Sequence, residues 1–176
     1  MNSTAIPGPG SGPARDAVDA IVDQWAAVRP DLDTGPMAVY GRVYRIAREV
    51  GDLVEREYRR YGVTRGEFDV LSALRRSGEP YTLSPRELSA TLMLTTGGMT
   101  GRLDKLEKAG LLARSPDPSD RRGLRVTLTA RGLEVIEEAV GAGLALQHRL
   151  FDSALTEEQG ERLGDLLRLL MAARPS

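Results

Sequence analysis

The residues able to do chemistry in this chain crowd into one stretch. Between Met99 and Arg125 stand seven cationic side chains, Arg102, Lys105, Lys108, Arg114, Arg121, Arg122 and Arg125, against four carboxylates, Asp104, Glu107, Asp117 and Asp120. That stretch carries +3 and the remainder −4, which sum to the formal net charge of −1. A molecule with one basic edge presents it to a polyanion while its acidic remainder is repelled. Just upstream, Thr95, Thr96, Gly97, Gly98, Met99 and Thr100 lead into the cationic stretch. Small glycines permit close backbone approach, Thr95 or Thr96 can cap a helix and meet a phosphate, and Met99 can touch a thymine methyl. Arg102 can chelate a guanine edge, while Lys105 suits a phosphate. Arg122 is expected to insert into a narrow A·T minor groove and Arg121 to meet a phosphate, with Asp120 pairing the arginine or the turn backbone. Alone, the helix residues equally describe a solvated polar face, and the arginines an exposed turn of mixed charge.

Helices and a hairpin must position these groups. Ser84, Pro85, Arg86 and Glu87 read as a serine N-cap, a proline at the first helical position and a reciprocal glutamate. Leu88, Leu92 and Leu94 mark the apolar face of that helix up to a turn at Thr95 to Gly98. A second helix runs through Met99, Leu103 and Leu106 and stops at Gly110. A turn cluster from Pro116 to Gly123 and the alternation in Arg125, Val126, Thr127 and Leu128 predict a hairpin. Two helices, a tight turn and a basic hairpin make a winged helix-turn-helix. The expected fold class is mainly α, in the α+β sense, with flanking N- and C-terminal dimerisation helices.

Leu106-Glu107-Lys108-Ala109-Gly110-Leu111, Asp117-Pro118-Ser119-Asp120-Arg121-Arg122-Gly123 and Leu128-Thr129-Ala130-Arg131-Gly132 stand in this order. With these motifs the chain resembles the MarR-type transcriptional regulators, and weaker similarity reaches from Met37 to about Ala173. The resemblance implies a dimer built from both termini, double-stranded DNA as partner, and release by a small molecule. The added N-terminal helix with Trp25, followed by Arg29 to Asp33 and Pro36-Met37, is similar to the branch that answers urate. For that branch the resemblance implies a ligand pocket of Trp25, Asp69, Arg76 and Arg114. A flat monoanion wants an aromatic wall and an arginine fork. Another aromatic or organic acid, or no small ligand, stays open beside urate. The rival class is a winged-helix protein-interaction module without DNA binding.

Residues 1–13, rich in Gly, Pro and Ser, read as a flexible tail, and 14–36 as an added helix and linker. Residues 37–62 form a dimerisation helix, 63–129 the winged domain, with a capping box at Thr64 to Glu67, and 130–176 two C-terminal helices. Their apolar stripes, Leu133 to Leu150 and Leu163 to Met171, exceed what one small core covers, so a homodimer is expected. No run of eighteen apolar residues and no signal-peptide pattern occurs, which points away from a membrane and to the cytoplasm. The absence of cysteine excludes disulfides and thiol-based sensing. His148, the single histidine, can build neither a zinc site nor a triad alone. Gly97 to Gly101 lacks the lysine-serine ending of a phosphate loop. No enzyme and no cofactor is expected.

Overall fold

A computed structural model of the chain describes residues 14–92 and 98–173, with the side chains of Arg121 and Arg122 also outside the description. It divides into two compact units, Met1–Asp52 and Leu53–Ser176. The division falls inside a helix, α2 (Gly35–Arg59).

The first unit holds α1 (Ala17–Val28) and most of α2 (Gly35–Arg59). Helix α1 starts on a capping box that sequence reading overlooked: the Asp16 carboxylate accepts from the Val18 and Asp19 amides, and Asp19 returns to the Asp16 amide. Arg42 of α2 donates to both Asp16 (2.9 Å) and Asp19 (2.7 Å). Beside it, a Cβ on Gly41 would stand 3.0 Å from Val18 Cγ1. The glycine lets α1 lie close to α2 and bury Val18.

The second unit contains α3 (Arg65–Arg76), β1 (Thr82–Leu83), α4 (Pro85–Thr91), α5 (Met99–Lys108), β2 (Leu112–Asp117), β3 (Asp120–Leu128), α6 (Ala130–Asp152) and α7 (Glu157–Ala172). The predicted capping boxes at Thr64 and Ser84 form, and another at Thr156 opens α7, because each places a Glu or Gln three residues after the cap. Strand β1 was not foreseen; two residues carry too short a pattern for alternation to show. The antiparallel sheet has the order β1-β3-β2. Thr82 faces Thr127 and Leu83 faces Val126 on one side, while Arg114 faces Val126 on the other. The wing strands also run further into the turn cluster than their composition implies, leaving only 118–119 between them.

Core residues come from every element around α3, whose Val70, Leu71 and Leu74 are fully buried. Tyr58 at the end of α2 stacks on Phe68, centroids 3.8 Å apart. Gly143 of α6 allows the same tyrosine in, since a Cβ there would lie 2.8 Å from its ring. The start of α6 is fixed by Thr129, whose hydroxyl accepts from the Gly132 amide and donates to the Gly110 carbonyl. Helix α7 rests on α6 where Gly160 meets the Phe151 ring, yet α7 has no buried residue.

A Cβ on Gly132 would fall 1.9 Å from the Leu111 carbonyl oxygen. Backbone cannot retreat as a side-chain tip does, so Gly132→Ala is expected to destabilise by about 1–3 kcal/mol. Gly164→Ala, with only the Arg168 tip near, should leave stability unchanged or raised by up to about 1 kcal/mol. Urea unfolding of the two variants checks this; equal midpoints would overturn it.

Candidate nucleic-acid interface

Helix α5 turns Met99, Leu103 and Leu106 inward, and Thr100, Gly101, Asp104, Lys105 and Lys108 outward. The spacing of 0, 4 and 7 puts the first three on one stripe. Met99 is therefore core, 8% exposed, which corrects its reading as a thymine contact. The N-cap position falls on Gly98, with φ 85°, and carries no side-chain cap. The expected threonine caps, Thr95 and Thr96, lie outside the described residues, as does Leu94. Among the described residues no side chain caps the first amides of α5, an arrangement suited to a phosphate.

Arg102 differs from expectation. Its guanidinium lies over Gly66 of α3, where an added Cβ would stand 2.7 Å from Nε and 3.0 Å from Cζ. Nη1 is buried without a hydrogen-bond partner among the described residues, and so is Asp69 Oδ2 on the same helix. The inward-leaning arginine does not present a free fork to a guanine edge; glycine at 66 supplies the seat that draws it in.

Of the four expected effector residues, Trp25 belongs to α1 in the first unit and is 42% exposed. Asp69, Arg76 and Arg114 belong to the second. Asp69 and Arg76 lie on one side of α3; Arg76 is exposed and donates to Ser72 Oγ at 3.0 Å. Burial pushes the Asp69 carboxyl up, opposed by the charges of Arg65, Arg102 and Arg76. Arg65, 3.5 Å away, is the ion-pair partner it does have. Arg114 is employed elsewhere: it pairs with Asp104 (2.8 Å) and with Glu107, to which Nε also donates at 2.9 Å. These bonds, Glu107 first, raise the arginine and hold Glu107 below the usual carboxylate range. Strand β2 folds back along α5, so Arg114 meets carboxylates one helical turn apart and ties the wing root to α5. Arg114, expected in the ligand pocket, is held in these two ion pairs.

At the wing, Arg121 and Arg122 stand on β3 just after the 118–119 turn. Asp117 Oδ1 accepts from the Ser119 amide (2.9 Å) and hydroxyl (2.7 Å), and Asp117 Oδ2 accepts from Arg125 Nε at 2.7 Å. The Ser119 hydroxyl and amide, then Arg125, lower the Asp117 carboxyl. Beside Asp120, expected to order the turn, Asp117 and Arg125 act at the wing, Arg125 reaches the capping glutamate Glu87, and Gly66 lies under Arg102, roles that no local pattern assigns. The pairs of Arg125 and the contact of Arg102 with Gly66 join separate elements. Among the described residues no cluster of three His, Cys, Asp or Glu could hold a metal, and no helix is long and apolar enough to cross a membrane.

Comparison with known proteins agrees with this geometry. A family model described as MarR family matches residues 61–123. The chain is 37% identical over 150 residues to the HTH-type transcriptional regulator PecS of Dickeya dadantii, spanning 85% of this chain and 90% of that protein. The chain belongs to the MarR family. It is a MarR-type transcriptional regulator rather than an enzyme. The HTH-type transcriptional repressor YetL of Bacillus subtilis is 24% identical, over 85% of this chain and 90% of its own. In the solved structure of Sco3205, a MarR family regulator from Streptomyces coelicolor in complex with DNA, the fold matches with a TM-score of 0.71 at 26% identity, covering 82% of this chain and 92% of that one. A mainly helical winged helix-turn-helix is thus the MarR fold of this chain.

The half-buried Asp69 makes stability depend on pH. Its carboxyl is raised in the folded state, so its neutral form is favoured and stability is lost as pH rises through the folded value. Asp69→Asn is expected to be more stable than wild type at neutral pH, with the difference vanishing at acid pH. Denaturation at several pH values checks it, and a variant less stable at neutral pH than at acid pH, relative to wild type, contradicts it.

Proposed function

We propose that this MarR-type regulator is a homodimeric repressor of a pseudo-palindromic operator, released by a small anionic aromatic ligand, urate or a similar acid. The observation that carries the reading is the exposed first turn of α5, which no side chain caps among the described residues, on a helix followed in the chain by the β2–β3 wing. A recognition helix enters the major groove by its N-terminal residues. Gly98 and Thr100 stand at that end and Lys105 follows on the outward face to meet phosphate; Thr95 and Thr96, just before them in the sequence, are assigned to the same contact. Arg122 is assigned to the adjacent minor groove, as arginines are where A·T tracts narrow it, and Arg121 to a phosphate.

The dimer reading is supported by apolar side chains that a single copy leaves in water. Leu163, Leu166, Leu169 and Met171 of α7 are 41%, 53%, 69% and 77% exposed. Such a stripe is buried by an isologous contact with a second copy. PecS, YetL and Sco3205 supply the precedent for transcriptional regulation and DNA. The effector part rests on the resemblance to the urate-responsive branch and on Asp69 and Arg76 sharing α3.

Gel shift against duplexes selected from a random library is expected to show log affinity falling linearly with log salt. Lys105→Ala should reduce that slope by about 0.9 for each lost phosphate contact. Arg122→Ala should weaken binding most on operators with A·T flanks. A salt-insensitive complex, or none, favours the protein-interaction module instead.

Urate should quench the emission of Trp25, the single tryptophan, and dissociate DNA over the same concentration range. If saturating urate changes neither, the urate reading fails while the DNA reading stands.

A further inference from the structure

We infer that Arg125 is a positioning residue for DNA contact by the wing, clamping the root of the β2–β3 hairpin to the first turn of α4. This rests on the DNA-binding reading above. Along β3, Leu124, Val126 and Leu128 alternate with Gly123, Arg125 and Thr127. Val126 and Leu128 go to the core, so Arg125 emerges on the other face. There Thr127 meets Thr82 through their hydroxyls at 2.8 Å.

Two carboxylates from separate elements converge on the Arg125 guanidinium. Nε donates to Asp117 Oδ2 at 2.7 Å, and Nη1 lies 3.7 Å from Glu87 Oε2. Each carboxylate already has a structural duty. Asp117 holds the Ser119 turn through Oδ1, and Glu87 Oε2 accepts from the Ser84 amide at 2.7 Å in the α4 capping box. One guanidinium therefore links the N-terminus of α4 to the turn of the wing. The turn itself is pinched against β3, since a Cβ on Gly123 would stand 2.9 Å from Asp117 Cβ and 3.1 Å from Asp120 Cβ.

An exposed ion pair is ordinarily worth little. Here the Asp117 side chain is 9% exposed and uses both oxygens, so its pair with Arg125 is held rather than floating. A projecting two-stranded hairpin has little stiffness of its own. The clamp sets the angle between α4 and β3, the strand that carries Arg121 and Arg122 in sequence. Lysine cannot replace the planar fork, because one ammonium on a flexible stem does not hold two carboxylates in a set geometry.

The test uses the full-length protein and a duplex with A·T flanks selected on wild type. Arg125→Ala is expected to bind on the order of tenfold more weakly, and to lose hydroxyl-radical protection in the flanking minor grooves while keeping guanine N7 protection in the major groove. Arg125→Lys should fall between, and serves as the readout should the alanine variant unfold. Glu87→Gln keeps the capping box and removes one charge, and should reproduce a weaker form of the same footprint change. Because Arg125 acts through the wing tip, Arg122→Ala should cost less in the Arg125→Ala or Arg125→Lys background than in wild type. Additive losses with intact minor-groove protection overturn the positioning role. A wild-type protein that protects no DNA overturns the functional reading itself, so the two failures are distinct.

Discussion

Antiparallel pairing of β3 with both β1 and β2 is the constraint on which the second unit depends. Strand β1 leads directly into the α4 cap, β2 leaves the end of α5, and β3 runs into the α6 cap at Thr129. Val126, fully buried at the centre, faces Leu83 on one side and Arg114 on the other. One strand thereby sets the places of three helices and carries the wing out beyond them. Thr129 and Gly132 close the arrangement by bringing α6 onto the Gly110–Leu111 corner at backbone contact.

Charge pairs then set angles that packing alone leaves loose. Arg114 joins β2 to α5 through Asp104 and Glu107, and Arg125 joins β3 to α4 through Glu87. Both are arginines, and both hold two carboxylates, which the planar fork does and a lysine does not. The basic count that marks this stretch as a polyanion edge is therefore divided. Some cations brace the scaffold, and Lys105 and Lys108 remain on the outward face of α5. The local charge predicts the partner class; it does not say which cation touches the partner.

The seating of Arg102 over Gly66 makes the same point at α3. An arginine in the first turn of a reading helix invites assignment to a base edge, yet a glycine on a neighbouring helix opens a recess and a buried carboxylate at 69 draws the guanidinium toward it. Among the described residues, Arg102 Nη1 and Asp69 Oδ2 are buried without a hydrogen-bond partner. Such groups are uncommon in folded proteins and mark places where a water, a ligand or a rearrangement has work to do.

Local rules determined a good deal from the sequence alone: the capping boxes at Thr64, Ser84 and Thr156, the apolar stripes of α5 and α7, the wing and the MarR motifs all depend on residues a few positions apart. The MarR family and its winged fold followed from those motifs in order. What only tertiary structure decided depends on residues distant in sequence. Leu83 meets Val126, Arg125 meets Glu87, Arg102 meets Gly66, and Gly143 admits Tyr58. No periodicity within one segment encodes those meetings, because a side chain's reach is shared by many possible neighbours until the sheet register selects one. Met99 shows the boundary: its stripe position was legible, and burial then decided between core and groove.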